Sequence, residues 1–274
     1  MMPDVLWCTS LPSRGDRAAQ ARRVASWGGH VVSFNDAEEA AALGDCGVER
    51  VTVSRSGRRV LGKPVPFLAD IFDYQYGTDA PVLGIVNADI AFDLTEAQRR
   101  WLVEEAAHGL VCIRRTDVPD EATPLDAGTQ LPQGFDAFLY GRDLLPNLRA
   151  EGFCLGMPFW DFWLPVVATL AGHPVFMVTA PVARHVEHAV AWDSSAPVFM
   201  HVFLQAVLSA ASSSAEPLPA ALLSHQLAAY RALVDLAGRE EAVAQVLAQV
   251  YDDFQSRVLG AVAVLAKQVE TMPV

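Results

Sequence analysis

Residues 82–86, Val-Leu-Gly-Ile-Val, form a short, continuous, β-branched apolar run that halts on Asn87-Ala88-Asp89 and resumes at Ile90. A run of this length predicts a strand buried on both faces, the kind that occupies the middle of an α/β sheet. Asn87 and Asp89 fall where that strand ends, with one residue between them, so both side chains can point towards one crevice. Ligands in open α/β sheets gather outside the carboxyl ends of the strands. Two readings fit the tripeptide. Asn and Asp commonly turn a chain by bonding their own backbone, and on the tripeptide alone this reading comes first. The other is a hard-metal site in which Asp89 holds a divalent cation that bridges the phosphates of a nucleotide.

The chain before this run alternates between strand and helix. Val5 to Cys8 predicts a first strand and Thr9 to Arg14 a loop. Ala18, Ala21, Val24, Ala25 and Trp27 mark a helix that Asp16 or Ser13 can cap and Gly28-Gly29 stops. Val31 to Phe34 is a second strand ending on Asn35-Asp36, Asp36 caps a helix over Ala37 to Leu43, and Val51 to Val53 is a third strand. A β-α-β-α-β opening calls for a parallel sheet with right-handed crossovers. The first loop then lies at the carboxyl edge of the sheet, beside Asn35 and Asp89. Thr9, Ser10 and Asn35 become candidates to grip a nucleotide base and its ribose, with Arg14 or Arg17 near the phosphates. The competing reading makes Arg14, Arg17, Arg22 and Arg23 a solvated helix face.

Beyond a helix over Phe67 to Tyr74 and the central strand, Leu94 to His108 predicts a helix with Thr95 as its cap and Glu96 and Gln98 in its first turn. Leu110 to Arg114 is a further strand. Residues 115–133 are polar and carry Pro119, Pro124 and Gly128, a length without pattern that marks a functional or mobile loop. Phe135 to Tyr140 alternates as a strand, with Asp136 displaced from the apolar set. Asp161 stands between Trp160 and Trp163 in the densest aromatic stretch, either in the first turn of a helix or facing a pocket. Val175 to Val178 is the last clear strand. In Arg184-His-Val-Glu-His188, two histidines can meet a metal from one helical turn or stand as ordinary exposed residues, and spacing alone favours the second.

Composition narrows the partners. With 20 Lys and Arg against 32 Asp and Glu, the formal charge of −12 repels a polyanion, so neither nucleic acid nor an anionic membrane surface is expected. A small nucleotide is still compatible, because a bound cation and a few local arginines offset the field around its phosphates. No apolar run reaches membrane-spanning length and the start has no signal-peptide pattern. The four cysteines form no CxxC pair, so no clustered zinc site is expected, and a reducing, cytoplasmic setting is the expectation. Ala210 to Pro219 reads as a linker, which divides residues 1–210 from 211–274. The second part carries two apolar helical stripes separated by Gly238. This predicts a helical hairpin that buries its stripe on the main domain, on its own partner helix or in a homo-oligomer.

Together these pieces resemble bacterial glycosyltransferase-like proteins with the GT-A, nucleotide-diphospho-sugar transferase fold, over roughly the first two-thirds of the chain. The resemblance rests on an ordered series. Ser26-Trp27, Val31-Val-Ser-Phe-Asn35 and Glu38-Glu39 come first, then Gly62-Lys-Pro64, Ile85-Val-Asn-Ala-Asp-Ile90, Phe135-Asp136 and Gly156-Met-Pro-Phe-Trp-Asp-Phe-Trp163. It implies a mixed, mostly parallel sheet flanked by helices, a nucleotide-sugar donor, an unidentified acceptor and a divalent metal, Mn or Mg. Asn87-Ala-Asp89 then matches the metal-binding D-x-D, with Asp89 the better match and Asn87 replacing the first carboxylate. His185 or His188 would complete the metal shell. Asp161 would be the acceptor-side base, with Asp136, Trp160 and Trp163 towards the sugar and acceptor. Two rivals stand beside this reading. One is a GT-A-like protein that binds nucleotide or glycan, or scaffolds, without catalysis. The other is a nucleotidyltransferase, which usually has a glycine-rich first loop where this chain has only Gly15.

Overall fold

A computed structural model gives the fold and describes residues 5–130, 134–149, 151–188, 199, 202, 203, 205–207, 209, 210, 260, 263 and 266–273. In chain order its strands are β1 (Val5–Thr9), β2 (His30–Asp36), β3 (Glu49–Val53), β4 (Val82–Val86), β5 (Ile90–Phe92), β6 (Leu110–Ile113), β7 (Thr116–Val118), β8 (Thr129–Gln130), β9 (Ala137–Gly141), β10 (Val175–Val178), β11 (Ala183–Val186) and β12 (Lys267–Val269). Eight of them form one sheet in the order β12-β10-β6-β9-β4-β1-β2-β3. Only β9 runs antiparallel to its neighbours; every other pairing in this sheet is parallel. The mixed, mostly parallel α/β architecture expected from the sequence is therefore present.

Alternation along the strands explains why the sheet is covered on both faces. Leu6 and Cys8, Leu83 and Ile85, and Phe138 and Tyr140 point into one apolar layer. Val5 and Trp7, Val82 and Val86, and Ala137 and Leu139 point into the other. Strands buried on both sides read as continuous hydrophobic runs, which is what made β4 conspicuous. Gly84 interrupts that run because a Cβ there would lie 2.4 Å from Trp7, whose indole crosses β4 at this point.

The helices begin where the sequence signals them. Asp16 caps α1 (Arg17–Trp27) by accepting from the N–H groups of Ala18 and Ala19. Asp36 caps α2 (Ala37–Leu43) through Glu39 N–H. The short α3 (Arg58–Leu61) and α4 (Leu68–Tyr76) follow. Thr95 and Gln98 form a reciprocal capping box on α5 (Glu96–Ala106). After α6 (Leu145–Leu148) comes α7 (Trp160–Leu170), which packs its aromatic face on the sheet. The cysteines are free thiols, and burial pushes Cys8 and Cys154 up to about 12, which leaves both inert at neutral pH.

Three expectations are corrected. The patternless stretch after Arg115 holds β7 and β8, which join β5 and β11 in a second sheet ordered β5-β11-β7-β8. Val175 to Val178 is not the last strand, since β11 and β12 follow, and β12 extends the main sheet beside β10. Of the two histidines favoured as ordinary exposed residues, His188 is exposed but His185 is buried, and it lies on strand β11, so the alternative of one helical turn is not met either. The predicted helical hairpin and its linker fall largely outside the described residues.

Candidate metal centre and cleft

The small sheet assembles the site by register. Its strand β11 pairs antiparallel with β5, placing His185 opposite Ile90, and parallel with β7, placing His185 opposite Asp117. Asp89 immediately precedes β5, so its carboxylate arrives beside a histidine far away in sequence. His185 Nε2 lies 3.4 Å from Asp89 Oδ2 and 3.2 Å from His188 Nε2, and His188 Nε2 lies 3.3 Å from the same Oδ2. On its other side His185 Nδ1 contacts Asp117 Oδ1 at 2.7 Å.

This triangle fits a cation. Ligand atoms around a tetrahedral ion with bonds of about 2.0–2.1 Å stand roughly 3.3 Å apart, the separation found here. With Asp117 accepting from Nδ1–H, His185 turns the lone pair of Nε2 towards the centre, where Asp89 Oδ2 and His188 Nε2 also point. A proton satisfies one edge of such a triangle at a time; a central cation satisfies all three. Asp89 Oδ1 is buried and has no hydrogen-bond partner. Burial pushes the Asp89 carboxyl up, but its close contacts with His185 and His188 outweigh that and hold the group well below its ordinary range.

One further carboxylate, Asp136, lies near the triangle, and another, Asp161, lies near Asp136. Asn87, at the end of β4, donates from Nδ2 to Asp136 Oδ1 at 2.6 Å, and its backbone N–H bonds Asp136 O at 2.9 Å. Asp136 is only 8% exposed, and burial raises its pKa despite the neighbouring Arg115 charge. Asp161, in the first turn of α7, accepts from Phe135 N–H at 3.2 Å. Burial, reinforced by the Asp136 charge, pushes Asp161 up to about 7. The turn before it is unusual, because Phe159 takes a left-handed φ of 69°, a conformation that costs a bulky residue energy and often accompanies function.

Gly134 makes room for Asp161. It has φ +87°, and a Cβ there would stand 2.7 Å from Asp161 Oδ2. Gly134→Ala is expected to cost about 1–2 kcal/mol of left-handed strain, or roughly 2–8 °C in Tm, and to displace the carboxylate. Thermal melts together with the pH dependence of Asp161 check both effects.

No protein-family model matches the sequence, and no curated protein matches it. Among solved structures the chain is similar to a mannosyltransferase from Pyrobaculum calidifontis in complex with GDP-Man and Mn2+, at 14% identity over 96% of this chain and 86% of that one, TM-score 0.47. It is similar to glucosyl-3-phosphoglycerate synthase from Mycobacterium tuberculosis in complex with Mn2+, uridine-diphosphate and phosphoglyceric acid, at 12% identity over 76% and 78% of the two chains, TM-score 0.43. It is also similar to inositol-1-phosphate CTP transferase from T. maritima, at 12% identity over 74% and 97%, TM-score 0.42.

The remaining sequence candidates are placed as follows. Thr9 is buried at the end of β1 with an unpartnered hydroxyl, Ser10 is half-buried and Arg14 is exposed. The Asn35 side chain is committed to the first loop, donating to Leu11 O at 2.9 Å and accepting from Ser33 Oγ at 2.7 Å. Trp160 and Trp163 are 3% and 2% exposed. Trp160 meets Phe138 edge-on, while Trp163 stacks on Phe153 and bonds Leu148 O, so they pack the core and present no open face for a sugar. Three residues escaped sequence reading: Asp117, Arg115 and Arg114. Arg114 lies over the Phe135 ring at 5.6 Å, with a buried Nε that has no partner and no carboxylate paired to it among the described residues.

Proposed function

We propose that the protein is a metal-assisted glycosyltransferase that moves a sugar from a nucleoside-diphosphate donor to an acceptor hydroxyl. One observation carries this reading: Asp89 Oδ2, His185 Nε2 and His188 Nε2 converge within 3.2–3.4 Å of one another at the carboxyl edge of β4, where α/β sheets take their ligands. A divalent cation held there supplies charge stabilisation to a departing diphosphate without proton transfer. Arg114 offers a second positive charge to phosphate oxygens. Asp161 accepts the acceptor hydroxyl's proton, a role suited to a carboxyl raised to about 7, because the base is then ionised near neutral pH and still basic enough to be effective.

Two imidazole donors in the triangle disfavour Mg2+, which takes oxygen ligands, relative to a first-row transition ion, and Mn2+ is the one to compare with it. Thermal stabilisation by a panel of nucleoside diphosphates, each with Mn2+, Mg2+ or neither, tests the reading. A ligand that binds only the native state raises its apparent stability by mass action. One nucleotide should give a shift that needs metal, larger with Mn2+, and the matching sugar nucleotide should be turned over. Nucleotide binding without turnover in any metal would point to a binding protein, the second reading. That reading draws on Asn87, which stands where a second metal carboxylate would be and has its amide tied to Asp136. No shift with any nucleotide would remove the donor assignment.

A further inference from the structure

We propose that Asp117 and Arg115, neither of them in the metal triangle, are positioning residues that make His185 a metal donor and lock its setting to the Asn87-Ala-Asp89 turn. The inference deepens the metal-assisted reading and rests on it for its purpose, though not for its geometry. His185 Nδ1 and Asp117 Oδ1 are 2.7 Å apart, across facing residues of β11 and β7. An ionised carboxylate only accepts, so Asp117 fixes the proton on Nδ1 and leaves the Nε2 lone pair for the centre. Both side chains are well covered, at 6% exposure for His185 and 17% for Asp117, so water competes weakly for this bond.

Arg115 extends the arrangement. Its Nε lies 2.9 Å from the same Asp117 Oδ1, as a charge contact, and its Nη1 reaches Asp136 Oδ1 at 3.5 Å. Asp136 Oδ1 is also the oxygen that takes the Asn87 amide at 2.6 Å. Asn87 stands two residues from Asp89, so a ring of contacts runs from Asp89 through His185, Asp117, Arg115, Asp136 and Asn87 back to the same turn. One arginine thus balances two carboxylates, the partly covered Asp117 behind a metal-facing histidine and the buried Asp136 behind the metal-facing turn. Lysine would not replace it, because a single ammonium lacks the planar fork that reaches both.

Two readouts on the full-length protein test this. Long-range proton–nitrogen NMR of the metal-free protein reports which imidazole nitrogen of His185 carries the proton, and Mn2+ titration followed by electron paramagnetic resonance reports affinity. Wild type is expected to show His185 with Nδ1–H. Asp117→Ala should lose that tautomer and weaken Mn2+ binding about 10–100-fold. Asp117→Asn, which keeps an acceptor oxygen, should retain the tautomer and lose less, and it serves as the test if the alanine variant fails to fold. Arg115→Ala and Arg115→Lys should both weaken Mn2+ binding, and Asp117→Ala with Arg115→Ala together should lose less than the product of the two single losses. An unchanged tautomer in Asp117→Ala, or Mn2+ affinity within twofold of wild type in Asp117→Ala and both Arg115 variants, overturns the proposal. If wild type itself takes no Mn2+, the metal reading fails, and the tautomer readout alone still decides whether Asp117 positions His185.

Discussion

Asp89→Ala is expected to lower donor turnover by more than about 100-fold, since loss of a partner behind a metal ligand already costs ~10–100-fold and Asp89 is itself in the triangle. The fold should survive. Asp89 is half-buried, sits in a turn between β4 and β5, and among the described residues its side chain contacts His185 and His188 only. Far-ultraviolet circular dichroism and the melting temperature check the fold, and Mn2+ binding checks the cause. Undiminished turnover would remove Asp89 from the site, whatever the geometry of its neighbours.

Asp161→Asn is expected to reduce kcat by about 10²–10⁴-fold, the usual worth of a general base, and to abolish one limb of the pH profile. In wild type the rate should rise with pH through about 7, as the carboxyl ionises. The same shift has a consequence for stability. An ordinary carboxyl ionises near 4 in the unfolded chain, whereas folding raises Asp161 to about 7. Its contribution is therefore fully present below the unfolded value and is lost as pH rises through the folded one. Asp161→Asn cannot ionise, while its oxygen can still accept from Phe135 N–H. The variant should melt above wild type at pH 8, by less at pH 5, and level with it only below about 4, where the carboxyl is protonated in both states. Activity that persists with an unchanged pH profile would make Asp161 a helix-turn residue only.

Much of the scaffold was legible because it follows local rules. The β4 run, the Asp16 and Asp36 caps and the Thr95–Gln98 box are each set by a few adjacent residues. The site was legible in part for the same reason, since Asp89, Asp136 and Asp161 are polar residues placed where apolar runs break. What escaped reading depends on pairing at long range. The strand β7 is three residues within a polar stretch, so Asp117 carried no pattern, and only its register with β11 gives it a role. The His185 and His188 spacing alone favoured two ordinary exposed residues, yet His185 is buried on a strand and His188 stands just past its end. Trp160 and Trp163 read as sugar-stacking rings because aromatics serve both cores and sugar sites; α7 buries them both.

The most direct measurement is anomalous diffraction from crystals of the protein grown with Mn2+ and the nucleoside diphosphate that stabilises it best. A single manganese peak is predicted within bonding distance, about 2.0–2.3 Å, of Asp89 Oδ2, His185 Nε2 and His188 Nε2, with diphosphate oxygens completing its shell. Manganese bound elsewhere, or nucleotide bound with no manganese at these three atoms, would contradict the account.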